Sequence, residues 1–193
     1  MTAKRSLGAK IPAMATPTWL VCTYDAQDRP NAMTVAWGGV CCSGPPSLQV
    51  SLRSTTHTHG SLMARKAFTV CVPSADHLAQ ADYLGMVSGR DQDKLAAAGL
   101  TPLPFPGLDA PYLSELPLVF GCRLTHHLEV GLHTLFVGEI LDVLGDETIL
   151  DGGGKVDLAS LGAVIYAPDQ RAYHGVGPRL AEAFEVGKSL KRK

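Results

Sequence analysis

PNAMTVAWGG, residues Pro30 to Gly39, lies within a stretch that carries no charge between Arg29 and Arg53. Gly38-Gly39 and Pro45-Pro46 rule out a continuous helix, because glycine frays a helix and proline breaks it. A strand remains, and its two-residue alternation puts Ala32, Thr34 and Ala36 on one face and Met33, Val35 and Trp37 on the other. Small side chains on one face let a flat ring system approach the backbone, whose N–H groups can serve its polar edge. The sequence leaves open which face meets such a ring.

The same alternation extends to both sides. TWLVCTYD (Thr18–Asp25) reads as the preceding strand, with Asp28-Arg29-Pro30 as the turn between. SLQVSLR sets Leu48, Val50 and Leu52 against Gln49, Ser51 and Arg53, and AFTVCVP (Ala67–Pro73) repeats the pattern. THTHGSLMARK predicts a short helix between these strands. A second helix is predicted after Pro73, with Ser74 as N-cap, and a third in SGRDQDKLAAAGL, ended by Gly99. Pro102 to Pro117 holds five prolines in sixteen positions and predicts an irregular surface loop. LPLVFGCRLTHHLEV and LHTLFVGEILDVL predict a long hairpin turning at Gly131; AVIYAP adds a short strand and PRLAEAF a turn or two of helix. Short antiparallel strands with helices gathered in insertions predict an antiparallel barrel with added helices, in one domain over residues 1–193.

Composition narrows the functional classes. The chain has 193 residues, 46% hydrophobic and 18% charged, with a formal net charge of −1. That excludes disorder and gives no electrostatic footprint for nucleic acid. The basic end from Lys188 to Lys193 reads as a solvated tail. Five cysteines without a CxxC pair argue against a disulfide framework or a structural zinc site, and suit a reducing cytoplasm. The uncharged run from Pro30 to Leu52 is long enough to cross a bilayer, but its Gly and Pro pairs would strand backbone polar groups in hydrocarbon. The N-terminus has no apolar run of signal-peptide length.

Several familiar motifs fail. GGGK (Gly152–Lys155) lacks the first glycine and the Ser/Thr of a phosphate-binding loop, and GVGPRL lacks the third glycine of a dinucleotide turn. His57-x-His59 and His126-His127 have no acidic or thiol partners at ligand spacing. A different set is chemically richer. Ser51 and Arg53 share the polar face of a strand, with Thr55, Thr56 and Thr58 just beyond it at a helix start. A guanidinium, hydroxyls and free N–H groups together suit a phosphate. Ser88-Gly89 offers a flexible loop with Lys94 one turn further on, and His133 opens the strand LHTLFVGEI.

The order and spacing of these residues resemble one family. RPNAMTVAW, PPSLQVSLR with Thr58 downstream, FTVCVPS, SGRDQDK followed by GLT, and HTLFVGEI match the FMN-binding split-barrel flavin reductases. The tail VIYAPDQRAYHGVGPRLAEAFEVGKSL is similar to the flavoredoxin group within them. The resemblance runs from Trp19 to Leu190. It implies a six-stranded antiparallel Greek-key split barrel that forms a homodimer and binds FMN near the dimer interface. Carried over by position, Asn31, Met33, Thr34 and Trp37 lie beside the isoalloxazine or ribityl chain. Ser51, Leu52, Arg53 and Thr58 match the phosphate and ribityl stretch, and Ser88, Gly89 and Lys94 a loop that reaches the flavin. His133 and Tyr166 match positions near the ring and the nicotinamide side, so His133 and Lys94 are the catalytic candidates. Leu132 stands where the family often has an acidic residue before the histidine, and Leu95 where an aromatic is common.

The activity implied by the resemblance is that of an oxidoreductase that takes a hydride from NADH or NADPH onto FMN. A flavoredoxin-type electron carrier serving redox-protein partners is the alternative, and a split barrel without flavin a third reading. No motif here separates NADH from NADPH.

Overall fold

The computed structural model describes residues 2–12 and 14–191. Met1 and Ala13 of the N-terminal segment lie outside them, as do Arg192 and Lys193 of the predicted solvated tail, whose preceding residues Lys188–Lys191 are exposed. In chain order the strands are β1 (Thr16–Pro17), β2 (Trp19–Tyr24), β3 (Pro30–Val35), β4 (Gly38–Ser43), β5 (Pro46–Arg53) and β6 (Ala67–Val72). Next come β7 (Pro102–Pro104), β8 (Pro111–Leu113), β9 (Leu118–Val130), β10 (His133–Gly145), β11 (Val164–Ala167) and β12 (Ala172–Gly175). Helices are α1 (His57–Arg65), α2 (Leu78–Met86), α3 (Lys94–Ala98) and α4 (Leu158–Leu161). No helix among the described residues is long and apolar enough to cross a membrane.

Seven strands form the main antiparallel sheet in the order β3-β2-β6-β9-β10-β5-β4. One more strand than the six implied arises within the opening stretch. Pro30–Gly39 is two strands, because the chain bends at Ala36-Trp37 and starts again as the edge strand β4. Gly38 permits this: a Cβ there would lie 2.7 Å from the Trp19 ring. The Ser51 N–H then donates to the Trp37 carbonyl at 2.8 Å, tying the bend to β5.

The sheet has apolar side chains on both faces of its central strands. Val21, Val35, Val50, Leu52, Phe68, Val70 and Phe136 fill the barrel interior, closed at one end by Leu62 of α1. Leu20, Cys22, Ala32 and Cys71 point the other way and are covered by Ala81 and Leu84 of α2, Leu95 of α3 and Leu113 of β8. All six residues of β6 are buried as a result. Each fully buried side chain such as Phe68 or Phe136 contributes roughly 1.5–3 kcal/mol relative to exposure.

The predicted helices form at α1, at α2 and at α3. Thr56 caps α1 by accepting from the His59 N–H at 3.3 Å, and Asp93 caps α3 by accepting from Ala96 at 3.1 Å. Gly99 ends α3 in the left-handed conformation, φ 67°. Ser74 precedes a single 3-10 turn, Ala75–His77, rather than α2 itself, and its hydroxyl pairs with His77 Nδ1 at 2.9 Å.

Two local expectations are corrected. The proline-rich segment Pro102–Pro117 holds the hairpin β7–β8, because Phe105, Ala110, Leu113 and Leu116 are buried and anchor it to the core. PRLAEAF forms no helix: Leu180 and Phe184 are 95% and 93% exposed, so no apolar face is buried that would hold one. Last, β11 pairs with β1 and β12 in a separate three-stranded sheet, which stands beside α2 through the Tyr173–Asp82 hydrogen bond.

Candidate functional site

Three adjoining clefts surround the C-terminal end of α2 and the loop from Val87 to Asp93. The first, about 260 Å³, lies between the start of α1 and that loop and is lined by Met33, Thr55–Thr58, Leu84–Arg90 and Lys94. The second, about 300 Å³, shares His57, Gly89, Arg90 and Lys94 with it and adds Asp25, Arg29 and Asn31. The third, about 340 Å³, shares Gly85 and Met86 and opens toward Thr34, Tyr166 and Tyr173.

The start of α1 presents backbone donors to the first cleft. Helix geometry leaves the N–H groups of His57 and Thr58 without intrahelical partners, and Thr56 satisfies that of His59. Thr58 is buried and its hydroxyl accepts from Asn31 Nδ2 at 2.8 Å. Arg90 reaches across the mouth, one guanidinium N–H donating to the Thr55 carbonyl at 2.9 Å. Its remaining donors are uncommitted among the described residues, and an N-terminal helix turn with a guanidinium beside it favours an anion.

Lys94 is only 4% exposed. Its ammonium donates to the carbonyls of Leu84, at 3.1 Å, and Val87, at 2.9 Å. These carbonyls belong to the end of α2, where a cation complements the helix dipole. Burial pushes the Lys94 pKa down from 10.5 to about 8. Asn31 is also buried, and its Oδ1 has no hydrogen-bond partner among the described residues; His57 Nε2 makes no hydrogen bond among them either but lies 3.6 Å from Asp25 Oδ2. Gly89 makes room for Asn31, since a Cβ at Gly89 would lie 2.2 Å from Asn31 Oδ1. Behind them, burial alone would raise the Asp25 carboxyl, but the N–H groups of Arg29 and Gln27 and the Arg29 guanidinium hold it below its ordinary value.

The fold therefore gathers Asn31, Met33, Thr58, Ser88, Gly89 and Lys94 around the first two clefts. Thr34 and Tyr166 line the third. Ser51, Arg53 and His133 line none of the three clefts and lie on the β5–β10 ladder, where Arg53 faces His133 in register and its carbonyl accepts from Thr56 at the start of α1. Leu52 belongs to the barrel interior, and Trp37 sits at the bend between β3 and β4. The small-residue face of β3 is not an open wall along its length: Ala32 is fully buried beneath α2, and the Thr34 hydroxyl donates to the Ala81 carbonyl. Arg90, His57, Tyr173 and Arg171 also line the clefts, and sequence reasoning does not single them out as binding groups. Arg90 lies inside SGRDQDK, so its motif carries a signal, whereas the approach of Tyr173 to Tyr166 depends on the β11–β12 pairing.

Comparison with known proteins places the chain in a family. Residues 11–171 match the flavin reductase like domain. The structure is similar to flavoredoxin of Desulfovibrio vulgaris (Miyazaki F), with a TM-score of 0.92 and 48% identity over 96% of this chain and 100% of that one. It is also similar to flavoredoxin from Methanosarcina acetivorans, with a TM-score of 0.91 and 25% identity over 98% and 100% of the two chains. A more distant relative, 26% identical over 67% of this chain and 71% of its own, is an NADH:riboflavin 5'-phosphate oxidoreductase of Streptomyces pristinaespiralis. With the domain match spanning most of its length and the split-barrel fold in place, the chain belongs to the flavin reductase-like family.

Proposed function

We propose that the chain is an FMN-binding oxidoreductase that accepts a hydride from NADH or NADPH, acting as a single-domain cytoplasmic homodimer. The observation that carries this reading is the first cleft, where the first-turn amides of α1, the Thr55 and Thr58 hydroxyls and Arg90 meet an apolar wall of Met33, Leu84 and Val87. One side of the cleft suits a phosphate and the other an uncharged ring. The buried Asn31 Oδ1 beside them, without a hydrogen-bond partner among the described residues, is a further polar group that a ligand would complement. These residues fit FMN.

When bound, FMN supplies the hydride-accepting chemistry. The chain's own groups then have separate tasks. Thr55, Thr58 and Arg90 would hold the phosphate, while the Thr56 hydroxyl stays committed to the Arg53 carbonyl and the His59 N–H; Asn31 and Gly89 would fix the loop against it. Lys94 keeps a positive charge close to the cleft below pH 8 and keeps the end of α2 in place. Met33 and Leu84 exclude water. His133 stands on the ladder opposite Arg53, so a role beside the ring would be exercised from the β5–β10 side.

Dimerisation is supported by apolar residues left outside the core. Leu128, Val130 and Leu132 at the end of the β9–β10 hairpin are 62%, 54% and 73% exposed. All five cysteines are free thiols, as a reducing compartment would keep them. Nicotinamide dependence is supported by the Streptomyces relative's activity. A second reading, an electron carrier serving redox proteins, is supported by the 48% identity to a flavoredoxin.

One experiment separates them. FMN-loaded protein, sedimenting as a dimer, is expected to lose its visible flavin absorbance on anaerobic addition of NADH or NADPH. Flavin that stays bound and oxidised with both donors would reject the reductase and favour the carrier; a protein that takes up no FMN would reject both.

A further inference from the structure

Two buried thiols lie outside the flavin chemistry altogether. Cys22 of β2 and Cys71 of β6 are 1% and 0% exposed, and their sulfurs stand 3.8 Å apart. Register sets the meeting: Cys22 faces Thr69 and Cys71 faces Leu20, so the cysteines are diagonal neighbours on one face of the sheet. Both are free thiols. A bridge needs the sulfurs to close to about 2.05 Å, which takes rotation of both side chains and a slight approach of the two strands. The other thiols are placed differently. Cys122 points into the barrel interior on the opposite face of the sheet, and Cys41 and Cys42 are exposed on β4.

The paired thiols are not equivalent. Burial pushes Cys22 up and its hydrogen bond to Cys71 adds to that, so Cys22 keeps its proton. Burial alone would raise Cys71 too, but hydrogen bonds from Cys22 and from the Leu113 N–H hold it below its ordinary value. The Lys94 ammonium acts on the pair from the Cys22 side. A stabilised thiolate with a protonated thiol in reach is the arrangement that reacts with a hydroperoxide and then resolves to a disulfide. Access lies through the β7–β8 hairpin. β8 packs across both β2 and β6, and with β7 it makes a two-stranded sheet separate from the main one. Thr69 fastens it by donating to the Pro111 carbonyl at 2.6 Å. So small a sheet opens before the main sheet does.

We infer that Cys22 and Cys71 are an oxidative modification site, a dithiol that a hydroperoxide closes to a disulfide. With hydrogen peroxide, the Cys71 sulfur attacks one oxygen and the O–O bond breaks. The departing hydroxide takes up the proton that Cys71 released, and Cys71 becomes a sulfenic acid. The Cys22 sulfur then attacks the Cys71 sulfur, the S–O bond breaks, and hydroxide leaves with the Cys22 proton. Two thiols are oxidised by two electrons, the peroxide is reduced by two, and two waters form. The bridge ties β2 to β6 in the layer that α2 and α3 cover. The inference rests on the core's own geometry and holds whether or not the flavin reading does.

The test uses the full-length protein as purified, carrying Cys41→Ala and Cys42→Ala so that three thiols remain. Hydrogen peroxide is added under native conditions; thiols are then counted by alkylation in denaturant, and the intact mass and peptide map are read. Two of the three thiols should disappear, and the protein should become two hydrogens lighter. The map should join Cys22 to Cys71, and dithiothreitol should restore the count. Cys122→Ala in the same background should bridge as before, whereas Cys71→Ala should leave Cys22 a free thiol. Persistence of all the thiols, oxygen added without a bridge, a bridge that includes Cys122, or one that forms only after denaturation would each overturn the inference. Should Cys71→Ala fail to fold, the thiol count and map of the background protein decide alone.

Discussion

Raising the pH from 8 toward 10.5 should stabilise the protein by about 3 kcal/mol through Lys94. Burial lowers its pKa from 10.5 to about 8, and each pKa unit corresponds to ~1.4 kcal/mol. Between those values the unfolded chain binds a proton at this lysine that the folded chain has released, so stability rises with pH. The contribution is complete above pH 10.5 and is lost as the pH falls through 8. Lys94→Met removes the titrating group while keeping an unbranched chain in the core. Urea unfolding of parent and variant at several pH values gives the difference directly. Cys122, whose pKa burial raises, titrates in both proteins and so drops out of the comparison, whereas Cys22, which interacts with the Lys94 charge, is replaced by Ala in both. Parallel stability profiles for parent and variant would show that Lys94 is solvated rather than buried. At pH 7 the variant also leaves the Leu84 and Val87 carbonyls without their donor, so the end of α2 should exchange amide hydrogens faster.

Gly89→Ala should have the other large effect. The added Cβ would lie 2.2 Å from Asn31 Oδ1 and 3.1 Å from its Cγ, so Asn31 or the loop must move. Movement of Asn31 breaks the 2.8 Å bond from its Nδ2 to Thr58, leaving a buried donor and a buried hydroxyl unpaired, and movement of the loop instead displaces Ser88 and Arg90 from the same cleft. A loss of about 1–3 kcal/mol in stability is expected, with a comparable loss in FMN affinity because Thr58 lines the same cleft. Thr58→Ala should reproduce the affinity loss without the clash. Gly60→Ala provides the contrast: nothing lies within 4 Å of that position in the middle of α1, so it should stabilise by roughly 0.5–1 kcal/mol. Equal behaviour of Gly89→Ala and Gly60→Ala would mean the Gly89 loop is not packed on Asn31.

The contrast between Lys94 and Thr56 shows what is legible in the chain. Thr56 caps α1 through a contact three residues away, and Gly99 ends α3 where a left-handed residue is needed. Such signals are local and can be read from spacing. The β9–β10 hairpin, too, turns at Gly131 with φ 55°, in keeping with its position between two alternating runs. Lys94 reads locally as a solvated helix residue. It is buried because Leu95 docks α3 on the core and α2 ends above it, an arrangement no window of sequence contains.

Register is the other quantity hidden in the sequence. Arg53 and His133 face each other only because β5 and β10 pair with that alignment, so two candidates for different ends of a cofactor share one rung. Trp37 reads as one more strand residue, yet the Trp19 ring over Gly38 ends β3 before it. In PRLAEAF, apolar spacing predicts a helix that has no surface to cover, as the exposure of Leu180 and Phe184 shows. Helix spacing decides little without a core to receive it.

The central claim is that the start of α1, with Thr55–Thr58 and Arg90, is a phosphate site for FMN. The measurement that bears on it most directly is the affinity of the purified protein for FMN against riboflavin, which differs only in lacking the phosphate. Two charge-assisted hydrogen bonds at about 1.5–3 kcal/mol each predict FMN binding tighter by about 100-fold or more, with the gap narrowing in Arg90→Ala. Equal affinities for FMN and riboflavin would contradict the account, leaving the cleft beside α1 without a phosphate to hold.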